Sequence, residues 1–272
     1  MMKFLGFLLL FLLCGGCRIL EPNAIPSKPS NLPCDLIRGH EQQIARGKPL
    51  PFIDGFGWGW GIPSKLTLWN RRIENHAISD DTERLLAEYM VGNNLDEIKV
   101  RMNQYYPFDD WRRLVRNKSV AWPIRYTFGT LASLNETFVP GRLFGGDHFN
   151  PYTGTTHLYR DVPAIAFHVA AHAKDFSRRR FPGLYSVAYT FPFVSLWHEC
   201  IATNDVLAYV QARAQIDPSF VPIEREAYYV LYPAYGTYLG GAAGNLVVSR
   251  YGFPLYAADV VQGHANARFR AP

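Results

Sequence analysis

Two histidines four residues apart, His168 and His172, are the residues of this sequence whose type and spacing best suit chemistry. In a helix, residues at i and i+4 lie about 40° apart around the axis, so both imidazoles point the same way and can bind one metal ion. Glu199, in the first turn of the next long helical segment, can supply a third, oxygen ligand. Two histidines and one glutamate leave a position open for water, which is the arrangement of a catalytic zinc site.

The order of elements around these residues resembles the core of gluzincin zinc metallopeptidases. That core has a β-prone run, here Thr155 to Tyr159, then a helix with His-x-x-x-His and a second helix that carries a glutamate. The segment 157–175 is also similar to zincin-like envelope proteins of bacteria, and the likeness covers roughly residues 140–215. The resemblance implies zinc as the cofactor and His168, His172 and Glu199 as its ligands.

The residue after the first histidine departs from this pattern. Peptidases of the family use His-Glu-x-x-His, in which the glutamate accepts a proton from metal-bound water and passes it to the leaving amine. The corresponding residue here is Val169, which can do neither. The family also tends to place an aspartate four residues after the glutamate ligand, where this chain has Thr203. The sequence therefore favours a degenerate metal site over a working peptidase.

Asp175 is the acid best placed to orient one of the two histidines. It follows His172 by three residues and His168 by seven, and so lies on the same helical stripe. It is alternatively a ligand itself. Asp175 and Asp147 are also the candidates to replace the missing general base.

The remaining candidates have weaker signals. His198 precedes Glu199 and is expected to face about 100° away from it, so the two should not share one ion. His148 and His157 flank a turn and can reach the site from the strand, although a surface position is the simpler expectation. Cys200 has no activating neighbour in the sequence and is expected to be a small core residue.

The elements that must hold these residues are mainly helical, which predicts an α+β fold. Asp161 can cap a helix from Ala164 to about Phe176 with Pro163 in its first turn, and Ser195 can cap a long helix from Leu196 to about Ala214. Other segments are predicted as a helix capped by Ser79 and ended by Gly92, a helix from Leu95 to about Tyr105, and an aromatic-glycine strand or loop at 56–61 that packs its rings in the core. A single zincin-like domain spans 52–272.

The N-terminus predicts export. Lys3 supplies a positive charge, and Phe4 to Leu13 form an apolar run of signal-peptide length that is too short to span a bilayer. Small residues then precede Cys17, as in a bacterial lipobox, although Cys14 stands where leucine is usual. Residues 1–17 are therefore predicted to be a signal peptide with a lipid on Cys17, and the proline-rich segment 18–51 a tether to the cell envelope. Secretion or a periplasmic location is the alternative.

The composition limits the remaining functions. The net charge of +5 and the sequence pI of about 9.0 come from scattered basic residues without an aromatic-basic motif, so nucleic-acid binding is not expected. The mature chain would keep Cys34 and Cys200, which allows one bridge and no disulfide framework. The uncharged segment 228–248 spaces Gly236, Gly240 and Gly244 four residues apart, which favours a buried or membrane-lying helix that another backbone approaches closely, with a membrane span as the alternative.

Three functions remain compatible with the sequence. The first is an envelope-tethered lipoprotein with a degenerate metal site and a binding or structural role. The second is an active zinc hydrolase that uses a substitute general base. The third is a scaffold lipoprotein without metal, because a histidine on an otherwise apolar helix is often only a core residue with a satisfied ring.

Overall fold

The computed structural model describes residues 43–189, 191–246 and 252–272. The predicted signal peptide, with Cys14 and Cys17, and residues 18–42 of the predicted tether, with Cys34, lie outside the described residues. The surroundings of Gly240 and Gly244 lie outside them as well.

The fold contains a small mixed sheet of four strands. Its strands are β1 (Ile44–Arg46), β2 (Lys99–Met102), β3 (His148–Asn150) and β4 (Thr155–Leu158), in the spatial order β1-β2-β4-β3. The pairs β1-β2 and β2-β4 are parallel, whereas β3 and β4 form an antiparallel hairpin in which His148 is opposite His157. The hairpin turn uses Asn150, whose side chain accepts from the amides of Tyr152 and Thr153, and Gly154 at φ +62°.

Helices make up most of the described chain, so the fold is mainly helical α+β, as predicted. The shorter helices are α1 (Pro51–Trp60), α2 (Ile62–Thr67), α3 (Asp80–Gly92), α4 (Pro107–Arg116), α5 (Trp122–Ile124), α6 (Thr130–Phe138) and α7 (Gly141–Phe144). A π-helical turn, Arg125–Gly129, joins α5 to α6. The later helices are α8 (Pro163–Ser177), α9 (Pro182–Ala188), α10 (Pro192–Ile216), α11 (Val221–Leu246) and α12 (Gly252–Arg270), with a 3₁₀ turn at Pro218–Phe220.

Helix α8 is the centre of the fold. It packs against α3, α10 and α11, and every residue from Pro163 to Phe176 is buried. Tyr89 of α3, Phe167 of α8 and Tyr209 of α10 contact one another with ring centroids 5.0–5.5 Å apart. Because each such ring removes a large apolar area from water, the cluster holds the three helices in fixed positions.

Several elements have the predicted form. Ser79 caps α3 by accepting from the amide of Thr82, and α3 ends at Gly92. Strand β4 and helix α8 also lie where the sequence places them. The close approach predicted for Gly236 is confirmed, since a Cβ added there would lie 2.4 Å from the carbonyl oxygen of Asp259 in α12.

The two predicted helix caps next to the site are wrong. Helix α8 begins after Val162, and Asp161 instead accepts hydrogen bonds from the backbone amide and hydroxyl of Ser79 and from the hydroxyl of Thr82. Helix α10 begins at Pro192, so Ser195 lies inside its first turn. In both cases a proline at the first helical position begins the helix without a side-chain cap.

The helix predicted from Leu95 to Tyr105 is wrong, because this segment contains strand β2. Apolar Ile98, Val100 and Met102 alternate with Lys99 and Arg101, a period of two residues that suits a strand. The predicted tether also ends too late, since β1 already pairs with β2 at Ile44.

The aromatic-glycine run at 56–61 belongs to helix α1 and the residue that follows it, so the prediction of a strand or loop is wrong. Its rings are not core residues either: Trp58 is 49% and Trp60 57% exposed. Gly61 is buried and so is Gly57, where an added Cβ would lie 2.5 Å from the ring of His76. Gly57 therefore serves the packing of the helix, and the aromatic side chains face outwards.

Within the described ranges, no helix combines the length and the apolar character that crossing a bilayer requires.

Candidate metal centre

The three predicted ligands lie together between α8 and α10. The Nε2 atom of His168 lies 3.0 Å from Oε2 of Glu199 and 3.2 Å from Nε2 of His172. The third separation, from Nε2 of His172 to Oε2 of Glu199, is 3.4 Å. Ligand atoms bound to one tetrahedral zinc at about 2.0–2.1 Å are separated by about 3.3 Å, so these spacings match those of a coordination shell.

The local sequence explains why these side chains converge. His168 and His172 are one turn apart on α8, and Ala166, Ala170 and Ala173 let neighbouring elements approach this helix closely. Two residues beyond His172 on α8, the buried ammonium of Lys174 donates to the carboxylate of Asp205 on α10. This buried ion pair and the aromatic cluster fix α10 against α8, and so they fix Glu199 against the two histidines.

The three contacts cannot all be hydrogen bonds. Each imidazole Nε2 carries at most one proton, and an ionised carboxylate oxygen carries none. If both Nε2 atoms are protonated and donate to Glu199, their two N–H groups lie side by side and repel each other, because the nitrogens are only 3.2 Å apart. If His172 instead donates to an unprotonated Nε2 of His168, that nitrogen has no proton for Glu199, and its 3.0 Å contact with the carboxylate joins two acceptors. A cation among the three atoms satisfies all of them, so the donor set fits a bound metal ion.

Burial and charge act in opposite directions on these groups. Burial raises the pKa of Glu199, but the neighbouring His172, followed by His168, outweighs burial and lowers this pKa. Burial lowers the pKa of His168, although its hydrogen bond to Glu199 opposes this. The site therefore holds an ionised carboxylate beside a neutral imidazole, and these are the protonation states that bind metals.

The Nδ1 atoms of the two histidines, which face away from the site, differ in their hydrogen-bond partners. Nδ1 of His172 lies 3.3 Å from the hydroxyl of Tyr189, which can orient this ring for ligation through Nε2. Nδ1 of His168 is buried and has no hydrogen-bond partner among the described residues. No pattern in the sequence indicated Tyr189, because this residue follows α9 and reaches the site only through the fold.

Asp175 does not orient either histidine, contrary to the prediction. Its carboxylate accepts hydrogen bonds from Arg179 and from the hydroxyl of Tyr185. Asp147, the other candidate base, accepts from the amide of Tyr159 and forms an ion pair with Arg160. Burial raises the pKa of Asp147, whereas the charge of Arg160 opposes this shift.

His198 is buried beside the site within an aromatic cluster. Its ring stacks on Tyr185 at 4.2 Å and meets Tyr189 edge-on at 3.6 Å. Burial, followed by the charges of His172 and Arg179, lowers the pKa of His198 to about 3. It is therefore a neutral packing residue. Cys200, which follows Glu199, is half-buried, and its Sγ lies 3.5 Å from the side-chain amide of Asn204.

His148 and His157 do not reach the α8-α10 site, and the prediction of a surface position is wrong for His157, which is 5% exposed. Together with Glu136 of α6 they form a second group whose ligand atoms all lie within 4.8 Å of one another. Among the described residues, two His/Glu groups could therefore hold a metal ion. The sequence did not reveal Glu136, because strand pairing and the packing of α6 bring it there.

Comparisons with protein-family models, with curated proteins and with solved structures found no match to this chain.

Proposed function

We propose that the protein is an envelope-attached lipoprotein whose zincin-like core binds one zinc ion through His168, His172 and Glu199 and has a binding or structural role. The convergence of two Nε2 atoms and one carboxylate oxygen at 3.0–3.4 Å carries this proposal. Two nitrogen ligands and one oxygen ligand favour zinc over the oxygen-seeking ions calcium and magnesium. The resemblance of the strand, helix and second helix to gluzincins supports the same assignment.

A bound zinc ion would supply Lewis acidity and a link between two helices. His168 and His172 hold it from α8, and Glu199 holds it from α10. Because α8 is the most buried helix of the described fold, this link would stabilise the core as a whole.

The surroundings of the site favour a role without catalysis. Val169 occupies the position of the general base and packs in the main hydrophobic core at 2% exposure. Two other acids could replace a glutamate base, but both have partners. The carboxylate of Asp175 accepts hydrogen bonds from Arg179 and Tyr185. The carboxylate of Asp147 accepts from the amide of Tyr159 and pairs with Arg160. An active hydrolase would need one of these carboxylates to leave its partners.

Zinc content tests the metal site. We expect His172→Ala and Glu199→Ala each to reduce the zinc retained after dialysis by one equivalent per chain, as measured by inductively coupled plasma mass spectrometry. His198→Phe is the matched control, because it also changes a buried histidine beside Glu199 but keeps the aromatic packing. Equal zinc in the wild type and in both ligand variants would reject the site and favour a metal-free scaffold.

Attachment to the envelope has a separate test. The proposal places the lipid on Cys17, and the exposed aromatic residues of α1 follow the tether closely enough to lie near a membrane surface. Cys17→Ser should abolish labelling by a palmitate analogue and release the protein from the membrane fraction. Cys14→Ser is the control and should leave labelling intact. Labelling of the Cys17→Ser protein would contradict the assignment.

A further inference from the structure

We propose that Glu136, His148 and His157 form a second site for a divalent transition-metal ion such as zinc. This site is separate from the one between α8 and α10. It joins helix α6 to the antiparallel hairpin of β3 and β4.

The geometry brings each histidine to a different oxygen of one carboxylate. Nε2 of His148 lies 2.8 Å from Oε1 of Glu136, and Nε2 of His157 lies 3.9 Å from Oε2. The two histidines are opposite each other in the β3-β4 register, and their rings stack at 4.7 Å. One side of the hairpin thus presents two imidazole nitrogens to one helix residue.

Two of the donor atoms lack partners. Nε2 of His157 and Oε2 of Glu136 are buried, and neither has a hydrogen-bond partner among the described residues. A buried polar atom without a partner costs about 1–3 kcal/mol, so a fold rarely retains two such atoms 3.9 Å apart without a function. A cation between them would satisfy both atoms at once.

Neighbouring groups hold two of the side chains in position for ligation. Nδ1 of His148 donates to the carbonyl of Gly146 at 2.9 Å, which leaves Nε2 as its ligand atom. The side-chain amide of Asn150 donates to Oε1 of Glu136 at 2.8 Å and orients the carboxylate. Contacts of this kind to the outer atoms of metal ligands are characteristic of metal sites.

The site has room for a further ligand. A cavity of about 20 Å³ borders all three side chains, which is enough for about one water molecule. The buried hydroxyl of Ser133 also borders this cavity and has no hydrogen-bond partner within the described part of the chain. Two nitrogens, a carboxylate and a water or hydroxyl would complete the four ligands that zinc usually has in proteins.

Removing the first site isolates the zinc that is bound at the second. We expect the His168→Ala/His172→Ala chain to retain one equivalent of zinc after dialysis and to show a zinc-dependent rise in melting temperature. Adding His157→Gln or Glu136→Gln to this chain should remove both the zinc and the rise. His264→Gln is the control, since His264 is buried and hydrogen-bonded to the carbonyl of Thr67, far from both groups in sequence.

The same loss should appear in the wild-type background, where His157→Gln reduces the zinc content by one equivalent and keeps the circular dichroism of the wild type. This second measurement decides the question if the double variant fails to fold. Retention of all zinc by the His157→Gln and Glu136→Gln proteins would overturn the proposal. It is also overturned if a folded His168→Ala/His172→Ala chain binds no zinc. Neither result depends on whether the first site binds zinc.

Discussion

The side-chain ammonium of Lys174 on α8 donates to the carboxylate of Asp205 on α10, and both side chains are buried. The hydroxyl of Tyr89 donates to the other carboxylate oxygen. This pair links the two helices that carry the ligands of the first site, and Lys174 lies two residues beyond His172 on α8. It is therefore part of what positions that site.

Asp205→Ala should lower the free energy of unfolding by about 3–5 kcal/mol, because it leaves the Lys174 charge buried without a partner. Adding Lys174→Met should recover part of this loss, since the unpaired charge is then removed. Urea unfolding of the two single variants and the double variant measures the coupling. Strictly additive losses would show that the pair does not hold the helices together.

Asp161→Ala should destabilise the protein by about 1–3 kcal/mol at pH 7, because three hydrogen bonds from Ser79 and Thr82 lose their acceptor. Burial raises the pKa of Asp161, but these hydrogen bonds outweigh it and lower the pKa below its ordinary value.

The contribution of the Asp161 charge to stability is present above its unfolded pKa of about 3.9, and it is lost as the pH falls through the lower folded pKa. Urea unfolding from pH 7 to pH 3 should therefore show the difference between the wild type and Asp161→Asn shrinking towards the acid end. A difference that stays constant with pH would contradict this account.

Gly236→Ala should lower the free energy of unfolding by about 1–3 kcal/mol, since the added Cβ would lie 2.4 Å from the carbonyl oxygen of Asp259 and force α11 and α12 apart. Gly55→Ala on α1 is the matched control, because nothing lies within 4 Å of its added Cβ. That change should stabilise the helix by about 0.5–1 kcal/mol. Equal effects of the two substitutions in thermal unfolding would show that α12 does not pack closely at Gly236.

Val169→Glu restores the His-Glu-x-x-His pattern, but we expect it to destabilise the protein without creating a peptidase. Val169 is 2% exposed and packs in the main core, so the new carboxylate would be buried there. Val169→Gln controls for size and should cost less stability, since it adds no charge. Thermal unfolding and hydrolysis of a fluorogenic peptide library check both points. A stable Val169→Glu protein with peptidase activity would mean that only the base had been missing.

The sequence predicted those parts of the fold that depend on interactions between residues close together in the chain. The capping hydroxyl of Ser79, the β-prone residues of β4 and the i, i+4 pair on α8 each act within a few residues, and the structure has all three features. Helix α1 was missed because its glycines conceal the four-residue spacing of Phe52, Phe56 and Trp60.

Features that depend on distant contacts could not be predicted from the sequence. Asp175 has the right spacing to orient a histidine, yet Tyr185 and Arg179 bind its carboxylate instead. Strand pairing brings His148 opposite His157, and only the packing of α6 adds Glu136. Such partners are set by the tertiary fold, and no short-range pattern specifies them.

Anomalous X-ray scattering at the zinc edge, measured on crystals grown with zinc, tests the central claim most directly. The account predicts a zinc peak at bonding distance, about 2.0–2.2 Å, from Nε2 of His168, Nε2 of His172 and a carboxylate oxygen of Glu199. A zinc-saturated crystal with no anomalous peak between α8 and α10 would contradict it.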